Sequence, residues 1–196
     1  MNSEELKDFL DHKARTYENS FFLEQDPIQI PHSFSKKEDI EIAGFLVASI
    51  AWGNRISIIK NAKRMMALMD NNPYQFVLEH KEKDLKPLTS FVHRTFNGYD
   101  FSFFIKALKN LYINHDGLEG SFSNSLHSKR LDHNIHNFRT LFFELDHEKR
   151  TQKHVADPLR GSAAKRINMF LRWMVRDSKH GVDFGLWKQL TPAQLS

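Results

Sequence analysis

Residues 3–18 place Leu6, Phe9 and Leu10 on one face of an otherwise charged segment, which predicts a first helix. "EQDPIQIPHSF" follows with two prolines and no helical period, so residues 24–34 read as an extended connector. The pattern changes in "SKKEDIEIAGFLVASIAW". Ile40, Ile42, Ala43, Phe45, Leu46, Val47, Ala48, Ile50 and Ala51 leave almost no polar side, predicting a helix buried all round and ended by Gly53. Ser35 with Glu38 has the spacing of a capping box at its start. From Ile56 to Met69 the period is helical again, with Ile58, Ile59, Ala62, Met65, Met66 and Met69 opposite Lys60, Lys63 and Arg64.

Further helices are predicted at about 73–80, 87–97 and 100–113, the last on the rhythm of Phe101, Phe104, Ile105, Leu108, Leu111 and Tyr112. "HDGLEGSFSNSLHSK" reads as a loop or broken helix, and residues 131–148 resume the helical pattern through Phe138, Leu141, Phe142 and Leu145. No strand alternation of any length is present. The expectation is an all-α single domain over residues 1–196: an N-terminal helix 3–18, the connector 24–34, a helical core 35–148 and a basic turn-and-helix segment 155–187.

Composition narrows the function classes. Eight glycines and six prolines are few for an all-β chain, and 17 phenylalanines supply a sizeable core. The absence of cysteine excludes disulfides, Cys-ligated zinc, iron–sulfur clusters and thiol nucleophiles within this chain. The longest apolar run, "IAGFLVASIAW", has 11 residues and is too short to span a bilayer. The first residues carry no apolar h-region, so a cytoplasmic protein without membrane association is expected. No Walker loop, dinucleotide fingerprint or nucleophile elbow occurs, and no cofactor is expected. His133 and His136 share a helical face near Asp132, His127 and His147, but without a His-Glu-x-x-His pattern or a third ligand, no metal site is expected.

Charge is distributed unevenly. The net charge is only +4, yet residues 149–179 hold nine Lys/Arg against Asp157 and Asp177. Two readings fit: a polyanion partner, or an ordinary solvated face. On a helical wheel, Arg172 and Arg176 fall within about 20° of Lys165, while Ala163, Ile167, Phe170, Leu171 and Met174 gather opposite. Gly161 and Ser162 precede this helix, where free amides and a glycine's close approach suit a phosphate; a serine N-cap before a solvated basic face is the alternative.

"DPLRGSAAKRINMFLRWMVR" followed by "VDFGLW", with "DIEIAGFLVASIAWGNR" and "FVHRTFNGYDF", strongly resembles an uncharacterised family of bacterial conserved hypothetical proteins over nearly the whole chain. That family looks like a branch of the helix-hairpin-helix DNA glycosylase superfamily, a likeness confined to two segments. In those glycosylases a hairpin of the form Leu-Pro-Gly-x-Gly-x-Lys holds a DNA phosphate, and its lysine attacks C1′ of the damaged nucleotide. The resemblance sets Gly161 on the first glycine and Lys165 on the lysine; Ala163 stands at the second glycine and Arg160 where proline is usual. It implies a base-excision N-glycosylase/abasic-site lyase acting on damaged duplex DNA, with Arg166, Arg172 and Arg176 on the backbone. Trp52, Asn54 and Arg55 would lie near the lesion, with Trp52 as a core aromatic the competing reading.

Such chemistry needs a lysine to attack and a carboxylate to stabilise the oxocarbenium ion. Asp183, 18 residues after Lys165, is one candidate. The other lies outside this sequence: related hypothetical proteins continue past "TPAQLS" into a Pro-Leu-Asp-x-His segment, so the resemblance implies a glycosylase-like domain lacking its C-terminal part. His93 and Arg94 of "FVHRTF" could also reach a phosphate or base, although Phe91, Val92 and Phe96 read as a core strip. The readings that compete with an enzyme are a DNA-holding module that does not cut and a helical domain whose basic face meets an acidic protein.

Overall fold

In the computed structural model, residues 2–17, 20–123, 131–179 and 181–195 are described. The α-helices are α1 (Ser3–Tyr17), α2 (Ser20–Leu23), α3 (Lys37–Ile50), α4 (Arg55–Leu68), α5 (Pro73–Glu79), α6 (Gly98–Asn114), α7 (Gly117–Ser123), α8 (Leu131–Phe142) and α9 (Lys165–Val175). The fold is mostly helical, as the periodicity predicts. Short 3-10 turns fill the connector at Pro27–Gln29 and Pro31–Ser33, where prolines fix the backbone.

α3 is the central element: residues from Asp39 to Ile50 are all buried. Phe45 on α3 meets Phe104 of α6, Phe138 and Phe142 of α8 and Phe170 of α9, with ring centroids 5.3–5.8 Å apart. Phe122 of α7 stacks on Phe138 at 3.9 Å. These rings join four helices to α3, and α9 packs along it. A carboxylate on α3 enters this core. Glu41 accepts from the Tyr112 hydroxyl at 2.7 Å and the Trp187 indole at 2.6 Å; burial pushes its carboxyl up despite those bonds. The Trp187 bond ties the C-terminal segment to α3, and the Tyr112 bond ties α6 to it.

Three local expectations change. The helix expected at 87–97 is a 3-10 helix at Glu82–Ser90, with Pro87 inside it, followed by two antiparallel strands, β1 (Val92–His93) and β2 (Phe96–Asn97). Arg94 at the tip has φ +54°, the left-handed geometry of a tight reversal. The Ser35–Glu38 capping box does not form: Lys36 is the N-cap of α3, without a side-chain bond. A capping box forms instead at α6, where Asn97 accepts from Asp100 N and Asp100 accepts from Asn97 N. The helix expected over 131–148 stops at Phe142. The second half of "HDGLEGSFSNSLHSK", His127 included, lies outside the described residues.

α1 stands apart from the core. Its apolar face, Leu6, Phe9 and Leu10, remains exposed.

Candidate nucleic-acid interface

The turn before α9 is organised by one aspartate. Pro158–Arg160 make a single 3-10 turn, and the Asp157 carboxylate accepts from Leu159 N at 3.1 Å. The Asp157 carbonyl accepts from Arg160 N at 3.1 Å and Ser162 N at 3.4 Å, and Gly161 N bonds Pro158 O at 2.9 Å. Gly161 has φ +82° with open space where a Cβ would stand, so the backbone conformation and not crowding calls for glycine. Ser162 Oγ accepts from Ala164 N at 3.2 Å, and Ala164 itself is left-handed at φ +44°. The turn thus has two left-handed positions, Gly161 and Ala164, the second one residue after the site of the second motif glycine.

These bonds decide which amides face outward. Those of Gly161, Ser162 and Ala164 are engaged inside the turn. The amides of Lys165, Arg166 and Ile167 begin α9 and have no intrahelical acceptor. A phosphate would therefore meet the first turn of α9, not the amides of Gly161 and Ser162. Lys165, exposed at that first turn, makes no ion pair among the described residues.

Asp157 is almost fully buried. His136 Nδ1 lies 3.0 Å away, Arg160 Nε 3.3 Å and Arg139 4.0 Å. Burial opposes its charge, but the His136 bond and charge, the Leu159 amide and Arg139 outweigh it and hold its carboxyl below the usual range. His136 is engaged with an aspartate, and among the described residues no group of three ligands could hold a metal ion.

At the other end α9 closes at Val175, so Arg176 is its C-cap and not part of the helical stripe. Asp183, 2% exposed, receives Arg176 Nε, and Arg172 Nε stands 3.6 Å from its other oxygen. The segment is pinned by Phe184 N to Trp173 O at 2.8 Å and Trp187 N to Met174 O at 2.9 Å. Arg172 lies seven residues along the helix from Lys165, about 10 Å at 1.5 Å per residue. The structure does not bring Asp183 and Lys165 together.

Arg166 points inward. It donates to the Ser49 carbonyl, at the last turn of α3, and burial draws its guanidinium below its ordinary value. That bond sets the start of α9 beside the end of α3, where Trp52, Asn54 and Arg55 follow within six residues. Asn54 caps α4 by accepting from Ser57 N at 3.1 Å, and Arg55 is exposed. Trp52 is half-buried, its ring covered by the Arg94 guanidinium at 4.9 Å. Gly53, at φ +103°, lies under the same guanidinium; a Cβ there would come within 2.4 Å of Arg94 Nε. His93 is buried, with Asn61 at 3.1 Å and the Trp52 carbonyl at 3.4 Å; burial lowers its basicity. Val92 and Arg94 face outward, so only part of "FVHRTF" is core.

The site therefore joins Lys165 and the open start of α9 to the Trp52–Arg55 corner, with Arg94 over Trp52. Arg172 and Arg176 belong to a separate cluster around Asp183. Asp157 has a signal of its own in the sequence, an aspartate before proline at a turn. The profile of a family described as Protein of unknown function (DUF2400) matches residues 26–196. The chain belongs to that family. No curated protein and no solved structure matches it. The part assigned to the DUF2400 family includes every residue of the candidate site and leaves out α1. No helix among the described residues of this DUF2400 protein is long and apolar enough to cross a membrane.

Proposed function

We propose that this protein binds duplex DNA through the start of α9 and the end of α3, and that Lys165 is the nucleophile of a base-excision glycosylase/abasic-site lyase. The Arg166–Ser49 bond carries the reading. It holds an exposed lysine and a helix start with open amides beside an aromatic corner with two exposed arginines, Arg55 and Arg94. Helix-start amides and a nearby cation suit a phosphate, and an exposed lysine one residue from that bond supports attack on the adjoining sugar. The resemblance to helix-hairpin-helix glycosylases supplies the chemistry.

Borohydride reduction of the protein with abasic-site DNA tests it. A covalent adduct in the wild type that Lys165→Ala abolishes supports a Lys165 imine. Binding without any adduct removes the lyase and leaves the second reading, a DNA-holding module that does not cut. The Asp183 geometry favours that second reading, because this carboxylate is held by Arg172 and Arg176 away from Lys165. No binding at any salt concentration removes both.

A further inference from the structure

From Ile42 to Met69 the chain carries no aspartate or glutamate, while α4 carries Arg55, Lys60, Lys63 and Arg64. The buried face of α4 is Ile58, Ala62, Met65 and Met66. Its opposite face is exposed, and on it Lys60, Lys63 and Arg64 fall within an arc of about 100° at 100° per residue. Arg64 is fixed by donating to the Ser90 carbonyl at 3.0 Å and hydroxyl at 3.1 Å, with its guanidinium 5.7 Å from the Phe91 ring. Lys60 and Lys63 form no ion pair among the described residues. This is a helix face of one sign with no acid paired to its lysines among the described residues.

The face lies on the helix that starts at the candidate site. α4 begins at Arg55, one residue after Asn54 caps it, and Arg94 on Trp52 adds a cation at the same corner. A helix of 14 residues is about 21 Å long. Lys60 to Arg64 occupy about 6 Å of that length, roughly two phosphates of one DNA strand at 3.4 Å of rise each.

We infer that the exposed face of α4 is a second DNA-backbone contact, in which Lys60 and Lys63 bind phosphates of the duplex whose other part lies at the start of α9. The inference rests on the DNA-binding reading above. It assigns to α4 a sequence-independent role, because ammonium groups facing phosphates fix position and carry no base information. The complement of a helix face with three cations and no acid is a polyanion, and the backbone of a regular duplex supplies one.

The test is the salt dependence of binding to a duplex of about 20 base pairs, comparing the wild type, Lys60→Ala/Lys63→Ala and Lys7→Ala/Lys13→Ala. The last pair removes the same charge from α1, outside the family match. Each lost phosphate contact lowers the slope of log K against log salt by about one. The α4 variant should therefore lose about two in slope and bind on the order of tenfold more weakly at 0.1 M salt, with the α1 variant unchanged. An α4 variant that keeps the wild-type slope overturns the α4 contact while leaving the DNA-binding reading intact. Equal losses in both variants also overturn it, since net charge alone would then explain the effect. A wild type that does not bind removes the DNA-binding reading and the α4 contact with it.

Discussion

The two ends of α9 are flanked by buried aspartates that act in opposite ways. Before the helix, Asp157 binds main-chain amides and the side chains of His136 and Arg160, and leaves Lys165 unengaged. After it, Asp183 engages Arg172 and Arg176, whose side chains are 44% and 34% exposed. A cation whose charge a buried carboxylate already balances is a weaker phosphate ligand than one with none. The contrast separates a structural end from an end open to a ligand, on one helix whose basic residues line up as equals on a wheel.

The largest change comes from removing what both ends rest on. Phe170, in the middle of α9, meets Phe45 at 5.6 Å, Phe122 at 6.2 Å and Trp187 at 5.4 Å. Phe170→Ala is expected to cost about 3–5 kcal/mol in denaturant unfolding. DNA binding and the Asp183 pairings should then fail together. A variant that loses one and keeps the other would show that the ends are anchored independently.

Asp183→Asn sharpens the structural end. Breaking a fully buried ion pair costs several kcal/mol, but both arginines reach water and can be rehydrated, so about 1–2 kcal/mol is expected. Borohydride trapping at equal folded fraction should be unchanged. Loss of trapping in a folded Asp183→Asn protein would return Asp183 to the role of catalytic acid.

Gly161→Ala probes the open end. A left-handed backbone at a non-glycine residue costs about 1 kcal/mol, and the open space around Gly161 adds no clash. Thermal unfolding should register that loss, with a weaker affinity for DNA because the turn that presents α9 is distorted. Unchanged affinity at a lowered melting temperature would show that the turn does not set the phosphate site.

Acid should act on the same end. The Asp157 carboxyl is held below its ordinary value, so its contribution is present above the usual carboxylate range and is lost as pH falls through the depressed value. Relative to Asp157→Asn, the wild type should therefore lose stability as pH falls below the usual carboxylate range. Parallel curves for the two proteins would mean that Asp157 acts through shape alone.

Legibility along the chain follows the range of the forces involved. α3 could be read in full, because uninterrupted burial writes an uninterrupted apolar run from Ile42 to Ile50. β1 and β2 could not, since two residues per strand are too few to show a period and the reversal rests on Arg94 alone. Local chemistry is half visible: Ser35–Glu38 has the capping spacing and does not cap, while Asn97–Asp100 has the same spacing and does. At the site, periodicity aligned Lys165, Arg172 and Arg176, but Asp183 reaches the last two by a chain reversal that no wheel contains. The resemblance sets Arg166 among the cations facing a partner, whereas its guanidinium bonds the end of α3.

Lys165→Ala should have the smallest effect on stability, within about 0.5 kcal/mol, because an exposed side chain at a first helical turn loses little on truncation. Its effect on chemistry should be complete if it is the nucleophile. Set beside Asp183→Asn, the expected pattern is a crossover: one variant unfolds more easily and still forms the borohydride adduct, the other unfolds normally and forms none. Lys165→Arg refines the crossover, because a guanidinium keeps the charge for phosphate and cannot form the imine. It should bind DNA nearly as the wild type does, with no adduct. If Lys165→Arg restores the adduct, the attacking amine is elsewhere, and the open end of α9 holds DNA without cutting it.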